Sequence, residues 1–236
     1  NELSEQQQVE VVLISRNSAD TGLRIFNSIN DHGLDITRAA CSGGESPFRY
    51  IAPFSADLFL SADPLDVRRA LDDDVAAATI LPSRVSAVSG GPLRIAFDGD
   101  AVLFADDSER VYQEQGLEAF VAAEKAAAMT PLPGGPFRKF LAALHRLQTS
   151  HSTEPGRIRT ALLTARSAPA HERVIRTLRA WNIRIDEAVF LGGLYKGSFI
   201  ATFGADIFFD EQKDYCESAH QHVPTYHVRH FIVNNA

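Results

Sequence analysis

The chain has 236 residues, of which 45% are hydrophobic and 22% are charged, enough for one large domain or two small ones. Its net charge of −7 argues against nucleic acid as a partner, because binding a phosphate backbone needs clustered lysine and arginine, but it leaves a small phosphorylated ligand open. No apolar run reaches the roughly 18 residues that cross a membrane and no signal-peptide pattern opens the chain, so we expect no membrane contact.

Short apolar runs alternate with amphipathic stretches along the whole chain, which predicts an α/β fold with a doubly wound parallel sheet. Residues 13–60 align with residues 162–209 without a gap, and 14 of these 48 positions are identical. Self-similarity of this kind indicates a duplicated β-α-β-α-β unit. The first copy has Pro47 where the second has Lys196, and Ser61 where the second has Asp210. We therefore predict that the first copy is degenerate and binds no metal.

The apolar run that ends at Phe97 is predicted to be a buried strand, and Asp98, Gly99 and Asp100 follow it directly. The C-terminal edge of a parallel sheet is where α/β folds bind ligands. There Asp98 is a candidate nucleophile and metal ligand, and Asp100 a candidate general acid and base. An ordinary Asp-Gly turn at the end of a strand explains the same residues, and the segment alone does not decide between the two.

Two helices are predicted between this strand and the next one. The first covers residues 109–129 and is interrupted at Gly116. The second opens at Pro136 and has a buried stripe at helical spacing. The members of this stripe are Phe137, Phe140, Leu141, Leu144 and Leu147.

Three further polar positions follow predicted strands or tight turns in the second half of the chain. Thr164 ends a strand and precedes Ser167, which we interpret as a helix cap, so a phosphate could be held at the helix start. Lys196 follows a Gly-Gly turn, and Asp210 and Glu211 end another strand. Taken singly, the threonine could be only a strand-end residue and the lysine a surface residue.

The chain contains, in this order, an acid-x-acid pair, Thr164, Lys196 and an acidic pair. This order resembles the four motifs of the haloacid dehalogenase superfamily of phosphatases. Longer strings are similar to the type I cytosolic 5′-nucleotidases. These strings are FDGDAVLF from Phe97, LTARSA from Leu163, DIFFD from Asp206, NSIN from Asn27 and LFLSAD from Leu58. The resemblance runs from about Val11 to about Pro224.

The resemblance implies a haloacid dehalogenase-like sheet with a helical cap. We expect an N-terminal half-domain at 1–90 and a catalytic core at 91–236, with the cap inserted at about 105–157. It also implies a Mg²⁺-dependent 5′-nucleotidase that hydrolyses nucleoside 5′-monophosphates through an aspartyl-phosphate. The implied catalytic residues are Asp98, Asp100, Thr164 and Lys196, and the implied metal ligands are Asp98, the backbone carbonyl of Asp100, Asp210 and, through water, Glu211.

Arg166, Lys125, Arg16 and Asn17 are candidates for binding the substrate phosphate or nucleoside, although each could equally be solvated. Two rival functions stay open. One is a phosphatase of another phosphate ester or a nucleoside phosphotransferase, and the other is a non-catalytic nucleotide-binding module. The two isolated cysteines favour a reducing, cytoplasmic location, and a homo-oligomer is left open.

Overall fold

The computed structural model describes residues 9–82, 91–150 and 158–229, and it divides into two compact units, Asn1–Ala56 and Asp57–Ala236. None of the helices in these described ranges combines the length and apolarity that crossing a bilayer requires. The predicted boundary near residue 90 stays a prediction. Residues 58–80, assigned from sequence to the N-terminal half-domain, contribute two strands and the helix between them to the second unit.

The described residues 9–56 of the first unit form a parallel two-stranded sheet and one α-helix. Strand β1 (Val12–Ser15) pairs with β2 (Arg38–Cys41), and α1 (Ala19–Asp31) connects them. Ser18 caps α1 by accepting a hydrogen bond from the backbone N–H of Thr21, which satisfies one of the unpaired donors of the first turn.

The second unit is built on a seven-stranded sheet in the order β3-β4-β9-β8-β5-β6-β7. All neighbouring strands run parallel except β4 and β9, which confirms the predicted α/β class with a mostly parallel sheet. The strands are β3 (Leu58–Ser61), β4 (Ala76–Ile80), β5 (Leu93–Phe97), β6 (Ile158–Thr164), β7 (Glu187–Phe190), β8 (Ile207–Asp210) and β9 (Thr225–His227).

In the described part of the second unit, six α-helices accompany this sheet. Apolar side chains of alternate strand residues enter two separate clusters. Ile95 and Phe97 of β5 belong to one cluster and Ala96 to the other, as the period of two along a strand requires. The helices are α2 (Pro64–Asp72), α3 (Asp107–Ala126), α4 (Arg138–Ser150), α5 (His171–Ala180), α6 (Gly197–Phe203) and α7 (Lys213–Ala219).

The interpretation of Ser167 as the side-chain cap of α5 is wrong. A turn occupies residues 168–170, and α5 begins at His171. Ser167 contributes its backbone carbonyl, which accepts the N–H of His171, while its hydroxyl is only 3.5 Å from the carbonyl of Ala168. The hydroxyl therefore reaches no N–H group of the first helical turn.

Helix α3 is a hairpin of two short helices rather than one rod. A straight helix would separate residues 16 positions apart by about 24 Å. Yet the hydroxyl of Ser108 donates to Oε1 of Glu124 at 2.8 Å. The chain reverses at Gly116, whose φ of 81° is costly for a residue with a side chain. The interruption predicted at Gly116 is confirmed.

Helix α4 packs into the core through the stripe predicted from sequence. Phe137, Leu141 and Leu144 are buried, and the ring of Phe137 lies 4.7 Å from that of Phe209 on β8. Phe97 and Phe209 stack at 5.5 Å directly before the acidic ends of their strands. This packing gives Asp98 and Asp210 a rigid apolar base.

The secondary structure repeats with the offset of 149 residues found in the sequence. Strands β7 and β8 have the bounds of β2 and β3 shifted by that number, and α7 and β9 begin where α2 and β4, shifted likewise, begin. A hydrogen bond also repeats, because the N–H of Asn17 donates to the Ser15 hydroxyl and the N–H of Arg166 to the Thr164 hydroxyl. Local geometry thus supports the duplication.

Inside the second unit, the two repeated strand pairs meet at an antiparallel junction. Thr79 of β4 pairs with His227 of β9, and Ile80 pairs with Tyr226. The strand order β3-β4-β9-β8 reads the same from either side of this junction when each strand is exchanged for its repeat partner. Because the strands at the junction are antiparallel, the segments β3-α2-β4 and β8-α7-β9 are related by an approximate two-fold axis through the sheet.

Candidate active site

Three neighbouring parallel strands end at one edge of the sheet with a polar side chain each. Strand β5 lies between β8 and β6, and the residues at their ends are Asp98, Asp210 and Thr164. The backbone N–H of Asp98 continues the ladder to the carbonyl of Phe209 at 2.8 Å, which fixes the start of the loop. The topology alone therefore brings together residues that are far apart in sequence.

The centre of the site is a group of three buried carboxylates around one lysine. Each of Asp98, Asp210 and Glu211 offers an oxygen, and these oxygens lie within 4.8 Å of one another. Lys196, which is 1% exposed, donates to Oδ1 of Asp98 at 2.6 Å and to Oδ2 of Asp210 at 2.7 Å. The ring of Tyr215 covers this ammonium at 4.5 Å. The structure thus gathers four of the predicted site residues.

Crowded negative charge and burial perturb these groups. Burial, only partly opposed by the charge of Lys196, raises the pKa of Asp210 to about 7. Burial and then the charges of Asp98 and Asp210 raise the pKa of Glu211 well above its usual range. Burial alone would lower the pKa of Lys196, but the charges of Asp210 and Asp98 outweigh it and raise the pKa, so the lysine stays protonated.

These residues fit a hard divalent cation. Three buried carboxylates share a single ammonium, so their full ionisation leaves negative charge uncompensated in a region of low dielectric. Oε2 of Glu211 is buried and has no hydrogen-bond partner among the described residues. An all-oxygen donor set of this kind suits Mg²⁺. Asp98, Asp210 and Glu211 are the residues that could hold it.

Gly99 lets the loop after β5 approach the end of β6. A Cβ atom at residue 99 would lie 3.1 Å from Oγ1 and 3.3 Å from Cβ of Thr164, closer than most side chains tolerate. The Thr164 hydroxyl itself is buried and accepts the N–H of Arg166 at 3.2 Å. A glycine between Asp98 and Asp100 therefore avoids a clash with Thr164, which the Asp-Gly turn pattern in the sequence does not reveal.

Asp100 is turned away from the carboxylate group by a π-helical turn at Gly99–Leu103. Inside that turn Asp100 is extended and Ala101 has a φ of 58°. The Asp100 carboxylate accepts two hydrogen bonds from Arg166, from Nε at 2.8 Å and from Nη2 at 2.6 Å. The two acids of the first motif thus face different partners, as the different roles expected of them require.

Glu124, which was not among the residues predicted from sequence, joins Arg166 to the α3 hairpin. Glu124 is 2% exposed and accepts from Nη1 of Arg166 at 2.5 Å and from Nη1 of Arg173 at 2.8 Å. Glu109, also on α3, has a raised pKa, first because of burial and then because of the charges of Asp100 and Asp98. The role of Glu124 could not be predicted from nearby sequence. Its partners lie on the other arm of the hairpin and on other elements.

The candidates for substrate binding have different surroundings. Arg166 is 3% exposed and paired with acids, whereas Lys125, the next residue after Glu124, is exposed. Arg16 and Asn17 are exposed at the end of β1 in the first unit, where their carbonyls accept the N–H groups of Gly44 and Gly43. Substrate binding by these four residues stays a prediction.

Comparison with known proteins identifies the family of the chain. The sequence model of the 5′-nucleotidase family matches residues 1–235. The chain is 39% identical over 221 residues to human cytosolic 5′-nucleotidase 1B, and the match covers 91% of this chain and 36% of that protein. The chain therefore spans about a third of the length of the curated relative that it matches. The family inferred from the motifs is confirmed, and the chain belongs to the 5′-nucleotidase family.

Proposed function

We propose that this chain is a Mg²⁺-dependent phosphatase of nucleoside 5′-monophosphates. The observation that carries the proposal is the group of Asp98, Asp210, Glu211 and Lys196 at the sheet edge, with Thr164 on the next strand. A nucleophilic carboxylate, a fixed cation and a phosphate-binding hydroxyl are the parts that phosphoryl transfer needs. Family membership supports the nucleotide as substrate.

In the first step, a carboxylate oxygen of Asp98 attacks phosphorus and the bond from phosphorus to O5′ breaks. The electron pair of that bond stays on O5′, which takes a proton from Asp100, so the nucleoside leaves and an aspartyl-phosphate remains. In the second step, water attacks phosphorus and gives its proton to Asp100, the bond to Asp98 breaks and phosphate leaves. Two in-line displacements replace one difficult step.

Lys196 keeps Asp98 oriented and offsets negative charge between nucleophile and phosphate. Thr164 would hydrogen-bond a phosphate oxygen, since its hydroxyl lies at the end of β6 beside Gly99. Asp98, Asp210 and Glu211 would hold Mg²⁺, with the carbonyl of Asp100 as a further ligand. The ion supplies positive charge that neutralises the phosphate oxygens.

The relative's name describes it as cytosolic, and we propose the same compartment for this chain. Cys41 and Cys216 are both free, which agrees with a reducing environment.

The test is a phosphate-release assay with a panel of ribo- and deoxyribonucleoside 5′-monophosphates in Mg²⁺, repeated in EDTA. We expect turnover that EDTA abolishes and Mg²⁺ restores. Added nucleoside separates the phosphotransferase alternative, because phosphate would then appear on the added nucleoside. Tight nucleotide binding without phosphate release would replace the proposal with a non-catalytic binding module.

A further inference from the structure

Arg166 makes a side-on pair with Asp100 in which two N–H groups reach the two carboxylate oxygens, at 2.8 and 2.6 Å. A planar guanidinium in this arrangement fixes the plane as well as the position of the carboxylate, which a lysine cannot do. The Arg166 side chain is only 2% exposed, so the arginine side of the pair is shielded from water, whereas the Asp100 side chain is 14% exposed. Asp100 is therefore held in one direction.

Arg166 is itself held from three further sides. Its Nη1 donates to Glu124, its guanidinium lies 5.3 Å from the centre of the Phe120 ring, and its backbone N–H donates to the Thr164 hydroxyl. Glu124 and Phe120 both belong to the second arm of the α3 hairpin. The direction of Asp100 thus depends on where this arm lies.

Both carboxylate oxygens of Glu124 accept hydrogen bonds. Its Oε2 accepts from Arg166, and its Oε1 accepts from Arg173 of α5 and from Ser108 of the first hairpin arm. Arg173 also donates from Nε to the carbonyl of Thr130. This carboxylate therefore joins both arms of the hairpin, α5 and Arg166 at one buried point, where an unpaired charge would be costly.

We propose that Arg166 is a positioning residue that aims the Asp100 carboxylate, and that Glu124 of the α3 hairpin fixes Arg166 for this purpose. The inference rests on the proposed function, in which Asp100 protonates the departing O5′. It assigns Arg166 a role that differs from direct phosphate binding. The two roles make different kinetic predictions, because only the leaving group needs a well-aimed acid, whereas every substrate has a phosphate.

The experiment compares a nucleoside 5′-monophosphate with p-nitrophenyl phosphate, whose phenolate leaves without much help from an acid. For Arg166→Lys, which keeps the charge but loses the side-on pair, we expect kcat to fall about 100-fold with the nucleotide, as misaimed catalytic groups do. With the aryl phosphate the loss should be less than about fivefold, and KM should change little for either substrate.

Glu124→Gln keeps the size of the side chain and an oxygen for Arg166, so it provides a milder second variant. We expect kcat with the nucleotide to fall about tenfold, and kcat with the aryl phosphate to fall less. Arg94→Lys is the matched control, since Arg94 lies at the opposite end of β5 and donates from Nη1 to the carbonyl of Phe203. It should lower the melting temperature without changing the ratio of the two rates.

A double-mutant cycle gives the decisive result, because an effect that passes through Asp100 disappears when Asp100 is already defective. Arg166→Lys placed on Asp100→Asn should cause no further loss of kcat with the nucleotide. Equal losses on both substrates, a raised KM for both, or additive losses in the cycle would each overturn the inference while leaving the proposed function intact. A wild-type chain that releases phosphate from neither substrate would overturn both.

Discussion

The two copies of the repeat have the same scaffold and different strand ends. In residues 12–61 the ends are Ser15 and Ser61, whereas the matching positions 149 residues later are Thr164 and Asp210. Both copies keep the hydrogen bond from the backbone two residues after each of these strand ends to the terminal side chain. The turn therefore forms with a serine as well as with an acid at the strand end. This hydrogen bond alone does not explain why the second copy has Asp210 there.

Neither copy contains Asp98, the proposed nucleophile. Strand β5 with Asp98, and the α3 hairpin with Glu124, come from the connection between the copies, residues 81–160. In the sheet, β5 lies between β8 and β6 of the second copy, while β3 of the first copy pairs only with β4 among the described strands. The candidate site therefore combines strand β5, which belongs to neither copy, with strand ends of the second copy.

The largest expected effect comes from the end of strand β5. Asp98→Asn removes the proposed nucleophile with almost no change in volume, so kcat should fall by more than about a thousandfold while the melting temperature stays close to that of the wild type. Phosphate release at saturating nucleotide measures this. A variant that keeps more than a thousandth of the wild-type kcat would rule out the aspartyl-phosphate mechanism.

Exchanging the two strand ends tests the comparison directly. Asp210→Ser gives the second copy the residue of the first, and it should lower kcat/KM by about 100-fold and raise the Mg²⁺ concentration needed for activity, because a ligand is lost. Ser61→Asp is the matched control and should leave kcat/KM within about twofold. Its carboxylate can accept the N–H of Asp63 as the Ser61 hydroxyl does. Equal effects of the two substitutions would refute the hypothesis that only the second copy supplies a metal ligand.

The repeated hydroxyls give a smaller contrast. Thr164→Val and Ser15→Ala each remove the acceptor of one backbone N–H, so both should cost about 1 kcal/mol of stability. Only Thr164→Val should also lower kcat/KM, by about 10- to 100-fold, because a hydrogen bond to a charged phosphate is lost. Thermal melting and initial rates measured on the same samples separate the two losses. A normal rate for Thr164→Val would remove Thr164 from the site.

The strand ends could be predicted from sequence because each motif is local. An apolar run followed by Asp98, or by Asp210 and Glu211, identifies both the strand and the residue after it, and parallel topology then brings the ends together. The break at Gly116 was predictable for the same reason, since glycine interrupts a helical pattern.

The surroundings of Arg166 could not be predicted in this way. Its contact with Glu124 depends on the reversal of α3, and its burial depends on the packing of three elements. Sequence alone therefore left open whether Arg166 contacts substrate or solvent, and it gave no indication of the pair with Asp100 that the structure shows. The start of α5 was misplaced because Ser-Ala-Pro resembles a helix start, whereas here it forms a turn.

The smallest expected effect is a dependence of stability on pH. It should come from Asp210 at the strand end of the second copy, and not from Ser61 at the matching position of the first. In the unfolded chain, Asp210 and Glu211 lose their protons near pH 4. In the folded protein without metal, burial raises the pKa of Asp210 to about 7 and that of Glu211 well above its usual range. At pH values between the unfolded and the folded pKa values, the folded state binds more protons than the unfolded state. The stability that Asp210 and Glu211 contribute is therefore present below about pH 4 and is lost as the pH rises through their folded pKa values.

Bound Mg²⁺ favours the ionised carboxylates and should offset this loss. We therefore expect the rise in melting temperature from EDTA to saturating Mg²⁺ to be larger at pH 8 than at pH 5, by about 3–6 °C for a contribution of 1–2 kcal/mol. Asp210→Ser removes one of the titrating groups and should reduce the difference between the two pH values, whereas Ser61→Asp should keep it. A Mg²⁺ effect that is independent of pH in the wild type, or unchanged in Asp210→Ser, would show that the crowded acids of the second copy do not bind the ion.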